Sequence, residues 1–339
     1  MDRVTRPLNR LEALPAGLSD ITPDRIRTLF PAPTLIHLRG RMEPPVFLSC
    51  VLHGNETTGL RVLQRLQTWI ESHGLPRSML IFVGNVEAVE AGVRHLPHQP
   101  DFNRIWAGGP TPEHAMATQV LAEARAAQPF CAIDIHNNTG RNPLYACINS
   151  LEPAFTHLAS LFSPTIVHFD NPPTVISMAM SKICPSVTIE AGRSDEPHGI
   201  EAALNLVLDS LHLHAFRTQG EDRPVTVFHT IGRVELAPEI SFDFGPGPGR
   251  DIDVWFPENL ERWNFSPQLP GHQWARLKNG NSLPLCVFDE ARNDITDQFF
   301  IARNDCVELV RSITPSMLTR DKAVIRSDCL GYLMEAVSL

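Results

Sequence analysis

Short runs of unbroken apolar residues alternate with amphipathic stretches through about residue 217. Val46-Phe47-Leu48-Ser49-Cys50-Val51-Leu52 predicts a buried strand. It stops at His53-Gly54-Asn55-Glu56, a polar turn. A helix over 57–72 follows, with Leu60, Val62, Leu63, Leu66, Trp69 and Ile70 on one face. The same reading predicts strands at 34–38, 79–83, 130–135, 144–148, 165–169 and 186–189. It predicts helices at 113–127, 152–162 and 199–216, and a helical turn or two within 24–30. Strands alternating with helices imply a largely parallel or mixed sheet covered on both faces.

The pattern then changes. Residues 218–224 are polar and rich in helix breakers, and no long helical period follows. Short β-type runs (Val225–Phe228, Arg233–Leu236, Leu283–Phe288, Cys306–Val310, Lys322–Ile325) are separated by Pro, Gly and Asn, and 244–250 reads as a rigid Gly-Pro loop. The expected organisation is an α/β domain over 1–217 and a smaller, mainly β domain over 218–339.

Composition narrows the function classes. Of 339 residues, 43% are hydrophobic and 20% charged, ordinary values for a globular protein with a sizeable core. A net charge of -9 without a lysine-rich block argues against a nucleic-acid partner. No apolar run is long enough to span a membrane, and the polar amino terminus reads as no signal peptide. Seven scattered cysteines without a CxxC pair read as reduced thiols, so the expected compartment is the cytoplasm.

Candidate chemistry lies at the strand ends, because ligands of open α/β sheets bind outside the carboxyl edge. His53 and Glu56 flank the turn after one strand. Asp134-Ile135-His136-Asn137 ends another. Two imidazoles and a carboxylate form a zinc ligand set that leaves a fourth position for water, the arrangement of a catalytic zinc. One Zn2+ per chain is expected, on His53, Glu56 and His136. Asp134 is a candidate carboxylate for orienting a ligand. Either histidine alone reads as a hydrogen-bonded core residue; both at strand ends, with Glu56 in step, favour the metal. Glu190, after Val187-Thr188-Ile189, is placed to act as general base and acid. In Asp101-Phe102-Asn103-Arg104, the Asn103-Arg104 pair suits a substrate carboxylate. Arg94 is a candidate to stabilise an oxyanion. His95, His98, His212 and His214 read as solvated or packing residues, and Lys182 as a surface lysine.

These four motifs in order, His-Gly-Asn-Glu, Asp-Phe-Asn-Arg, Asp-Ile-His-Asn-Asn-Thr and Ile-Glu-Ala-Gly, resemble those of the succinylglutamate desuccinylase/aspartoacylase family, a branch of the zinc carboxypeptidase-like fold. The resemblance covers roughly residues 45–215. It implies a mixed central sheet flanked by helices, zinc on His53, Glu56 and His136, and Glu190 as base and acid. It further implies Arg94 on the scissile carbonyl and Asn103 with Arg104 on a substrate carboxylate. The reaction it implies is hydrolysis of a small N-acyl amino acid. The segment 174–182 lacks the arginine and tyrosine with which aspartoacylases read an acidic side chain, and suits a less acidic substrate. Two other readings stay open: a zinc carboxypeptidase acting on peptides or peptidoglycan stems, and a non-catalytic zinc or ligand-binding protein. A homo-oligomer is compatible with the sequence.

Overall fold

The computed structural model describes residues 8–217, 224–247, 251–278 and 282–337. The chain divides into two compact units, Met1–Asn137 with Leu144–Thr226, and Asn138–Pro143 with Val227–Leu339. Most of the expected linker, 218–223, and the end of the Gly-Pro loop, 248–250, lie outside the described residues.

The first unit runs β1 (Asn9–Leu11), β2 (Thr34–Leu38), β3 (Met42–Cys50), α1 (Thr58–His73), β4 (Arg77–Val83) and α2 (Val86–Ala91). It continues with α3 (Pro112–Ala127), β5 (Cys131–His136), β6 (Tyr145–Ile148), α4 (Pro153–Phe162), β7 (Thr165–His168), α5 (Ile176–Met180), β8 (Ser186–Glu190) and α6 (Pro197–His212). Its sheet has the strand order β1-β2-β4-β3-β5-β8-β6-β7. The central four strands, β4, β3, β5 and β8, are all parallel, whereas β2 and β6 join them antiparallel. Strand β3 is connected through α1 to β4 on one side, while β5 flanks it on the other. The connections therefore diverge at the carboxyl ends of β3 and β5, and such a divergence opens a crevice for ligands.

Burial explains the central strands. Every residue of β4 and β5 is buried, and so is β3 from Val46 onward. One side of the sheet is closed by a cluster that includes Phe47, Phe82, Phe102, Trp106, Met116 and Ile176. Burying each such side chain is worth about 2–3 kcal/mol, and the cluster ties the loop 101–106 to the sheet.

Two short helices were not legible in the sequence. α2 has Asn85 as N-cap, whose side chain accepts from Ala88 N. α5 buries Ile176, Ser177, Ala179 and Met180. Helix α6 begins earlier than expected, at Pro197, where proline suits the first turn, and ends at His212.

In the second unit, β9 (Thr226–Leu236) is one long strand where the sequence suggested two runs. Then come β10 (Phe242–Phe244), β11 (Val254–Phe256), β12 (Gln273–Leu277), β13 (Leu285–Phe288), β14 (Phe300–Arg303), β15 (Cys306–Leu309), β16 (Thr314–Ser316), α7 (Lys322–Ser327) and β17 (Gly331–Val337). Strand β9 pairs with β13 and β17, and β17 with β16. A separate five-stranded sheet has the order β10-β11-β12-β15-β14. Trp274, Phe256, Phe299 and Phe300 fill the core of this unit. One expectation is corrected: Lys322–Ile325, read as a β-type run, is helical. The Asp321 side chain accepts from Ala323 N and Val324 N and so caps the helix, overriding the β-branched pair Val324-Ile325. No helix among the described residues is long and apolar enough to cross a membrane, and all seven cysteines are free.

Candidate metal and catalytic site

Register builds the site. His136 and Glu190 end adjacent parallel strands as direct partners, and Cys50, three residues before His53, pairs with Ile135. The chain leaves β3 abruptly: buried Val51 has φ 52, a left-handed conformation that a β-branched residue rarely adopts. Gly84 N donates to Cys50 O and Asn85 N to Val51 O, which holds that turn. Strain of this kind costs on the order of 1–3 kcal/mol and persists only where surrounding contacts enforce it. Gly54 then lies so close to α2 that a Cβ would sit 2.0 Å from the Ala88 carbonyl carbon. Its N–H donates to Arg94 O, which stitches the turn to the loop carrying Arg94.

His53, Glu56 and His136 are all buried and come together, each offering a ligand atom within 4.8 Å of the others. Glu56 stands between the histidines. Its Oε1 is 2.8 Å from His53 Nδ1 and its Oε2 is 2.8 Å from His136 Nδ1. The far nitrogens meet other carboxylates: His53 Nε2 lies 3.1 Å from Asp101 Oδ1, and His136 Nε2 lies 2.8 Å from Asp134 Oδ2. An imidazole that donates Nε2–H to a carboxylate keeps its Nδ1 lone pair for a cation, the usual arrangement around metal-bound histidine. The donor set and its outer carboxylates therefore fit a divalent metal.

The same contacts set the charges. Burial pushes the Glu56 carboxyl up, but the two imidazoles outweigh it and hold the group well below the ordinary carboxylate range. Burial opposes charge on His136, yet Asp134 and Glu56 raise its pKa well above the usual value. Burial also acts against ionised Asp101, and His53, Arg94 and Arg104 overcome it and lower its pKa. Glu190 behaves differently. Burial drives its carboxyl up to about 7, Glu56 adds to this, and His136, His53 and Arg94 only partly oppose it. Its Oε2 is buried without a hydrogen-bond partner. A carboxyl poised near neutrality beside a cation site is suited to passing protons in both directions.

The remaining candidates fall around this centre. Asp134 Oδ2 also accepts from Thr188 Oγ1. Arg94 is half-exposed, donates to Asp101 Oδ2 from Nε (3.1 Å) and Nη2 (2.9 Å), and lies 3.8 Å from Glu56 Oε1. Buried Asn103 accepts at Oδ1 from Ile176 N, so its amide oxygen is spent on the start of α5, while its Nδ2 faces His136 Nε2 at 3.3 Å. Exposed Arg104 donates to Asn103 O. Phe102 and Trp106 anchor this loop, with Trp106 Nε1 donating to Phe102 O at 2.7 Å.

Sequence reasoning passed over Asp101 and Asn137. Asp101 holds His53, Arg94 and the Asn103 N–H together (2.7 Å to the last). Its only signal was its place at the head of the Asn-Arg motif. Replacing Asp101 with alanine is expected to weaken metal binding about 10–100-fold, read by chelator competition. An unchanged affinity would show that His53 is oriented without it.

Comparison with known proteins agrees with this geometry. Residues 43–207 match the family profile described as Succinylglutamate desuccinylase/Aspartoacylase catalytic domain. A succinylglutamate desuccinylase of Chromobacterium violaceum is 33% identical over 101 residues, a match covering 29% of this chain and 28% of that protein. Among solved structures, the succinylglutamate desuccinylase from Chromobacterium violaceum superposes with a TM-score of 0.53 at 15% identity, covering 87% of this chain and 85% of the other. Murine aminoacylase 3 gives a TM-score of 0.53 at 16% identity, over 87% of this chain and 97% of the other. The architecture is thus the aspartoacylase/zinc carboxypeptidase-like fold. The similarity to the succinylglutamate desuccinylase/aspartoacylase catalytic domain spans residues 43–207, just under half of the 339-residue chain.

Proposed function

We propose that this protein is a zinc-dependent hydrolase that cleaves the amide bond of a small N-acyl amino acid. The observation that carries the reading is Glu56 shared between two imidazoles, each met on its far side by a carboxylate, with Glu190 in register beside His136. Two nitrogen donors and one oxygen donor favour zinc over calcium or magnesium, which prefer all-oxygen sites. His53, Glu56 and His136 would hold one zinc per chain. When bound, it would supply a Lewis acid and ease deprotonation of water.

The chain's own residues supply the rest. Glu190 takes the proton from water and later delivers it to the departing amine. Arg94, steered by Asp101, offers its guanidinium to the acyl oxygen as negative charge develops there. Arg104 and the Nδ2 of Asn103 receive the substrate carboxylate, the Asn103 side chain being held by the bond from Ile176 N to its Oδ1. Asp134 keeps His136 in the orientation and tautomer that binding requires. The segment 174–182 offers no arginine or tyrosine, which supports a substrate with a less acidic side chain. We assign these roles to the region 1–217 and expect the protein to work in the cytoplasm, where its free cysteines stay reduced.

The test is elemental analysis alongside a panel of acetyl-, succinyl- and other N-acyl amino acids. The expected result is one zinc per chain and turnover that stops in chelator and returns with Zn2+. Hydrolysis of peptides alone would move the assignment to a carboxypeptidase. Bound zinc without turnover on any amide would leave a binding protein.

A further inference from the structure

Asn137 follows a proposed metal ligand directly, yet its buried side chain points at neither histidine. Its Nδ2 donates both hydrogens, to Thr58 Oγ1 and to Gly192 O, each at 2.9 Å. Its Oδ1 accepts from Thr58 N at 3.3 Å, and its backbone N–H donates to Glu56 Oε2 at 3.1 Å. Because Gly192 O can only accept and Thr58 N can only donate, the orientation of the amide is fixed. One residue thus joins the turn carrying Glu56, the end of β5 carrying His136 and the loop leaving Glu190.

A second tie runs parallel to it. Ser194 Oγ donates to Asn55 O at 2.7 Å, and Asp195 Oδ1 accepts from Thr57 Oγ1 and from Arg61 Nε. On the far side, Gly199 admits the loop so closely that a Cβ there would lie 1.9 Å from Ala191 O. Asn137 sits on one of the three chain ends carrying ligands and base, and its side chain bonds to Thr58 beside the second and to Gly192 beyond the third.

We infer that Asn137 is a positioning residue that sets the distance between Glu190 and the metal ligands. The inference rests on the proposed hydrolase reading, and its test separates the two. Asn137→Ala cuts the side-chain bonds to Thr58 and Gly192 O and leaves the backbone bond to Glu56 and the Ser194–Asp195 tie in place. Gln64→Ala is the control: Gln64 is equally buried in the same unit, its Nε2 donates to Leu18 O and Ile21 O, and its Oε1 accepts from Arg61 Nη1, whose bond to Asp195 through Nε is kept. Both variants lose amide hydrogen bonds and are expected to lose a similar amount of thermal stability.

Only Asn137→Ala is expected to weaken Zn2+ binding about 10–100-fold in chelator competition, and to lower kcat at least tenfold with KM within about threefold. This split marks an interaction used in the transition state and not in substrate binding. If Asn137→Ala does not fold, Asn137→Asp decides. It keeps the shape and the bond from Thr58 N, but turns an acceptor toward Gly192 O. Zinc affinity and kcat within twofold of wild type, at the Tm of the Gln64→Ala control, would overturn the inference. A wild-type protein that binds zinc but hydrolyses no N-acyl amino acid would sink the hydrolase reading, while the zinc competition would still decide the role of Asn137.

Discussion

Glu190→Gln is expected to lower kcat about 10²–10⁴-fold, the usual contribution of a positioned acid–base, while zinc content stays at wild-type level. The amide keeps the size of the carboxyl but cannot take a proton from water. In the wild type, kcat/KM is expected to rise with pH as Glu190, whose pKa burial raises, ionises, and this limb disappears in the variant. Stability should move the other way. The folded pKa of Glu190 lies above its unfolded value, so its contribution is fully present below about pH 4.5 and is lost as pH rises through 7. The loss is on the order of 3 kcal/mol for a shift of this size. Metal-free Glu190→Gln should therefore match metal-free wild type near pH 4.5 and exceed its Tm at pH 8. Equal melting temperatures at both pH values would show that burial does not penalise the ionised group. An unchanged kcat would remove Glu190 from the reaction.

The second large effect is expected at Glu56. Glu56→Ala removes one of three proposed ligands and the carboxylate that stands between both imidazoles and accepts from Asn137 N. Zinc content should fall from one per chain to none, and activity with it. For the wild type, zinc at a hundredfold excess over its Kd should add about 2.7 kcal/mol to stability, visible as a rise in Tm. The variant should show no such rise. Its metal-free form should itself be less stable by about 1–3 kcal/mol, because buried polar groups around Glu56 lose a hydrogen-bond partner. Urea unfolding in chelator reads this directly. Retained zinc at full stoichiometry would show that the metal is held elsewhere.

His53, His136 and Glu190 were legible because each follows an apolar run where a strand must end, and Glu56 because it closes the polar turn that His53 opens. The parallel pairing of β3, β5 and β8 then places those ends side by side. Asp101 was not legible as the partner of His53, since 48 residues and a loop without periodicity separate them. Only the burial of Phe102 and Trp106 brings that loop to the candidate metal ligands. Asn137 looked like one of several polar turn residues. Its role exists only once Thr58 and Gly192 are neighbours. α5 spans five residues, too few to show a period, and is placed by Asn103 and its own buried face.

The second unit marks the same boundary between local and non-local information. Val324 and Ile325 prefer strands, yet a single capping aspartate makes the segment helical. The run 225–236 looked like two strands because polar His229 and Thr230 interrupt the apolar pattern, and pairing with β17 keeps it continuous apart from a register shift. Residues 138–143 group with the second unit although they directly follow His136-Asn137. There Asn264 Nδ2 donates to Arg141 O, and Met317 N donates to Asn142 Oδ1. By itself the sequence determined the periodicity of the chain, and with it the α/β class, the strand ends and the residue types that carry the chemistry. Tertiary structure alone decided which carboxylate faces which imidazole, which loop braces which, and the raised pKa of Glu190. Those depend on distance and burial between residues far apart in the chain, which no local pattern encodes.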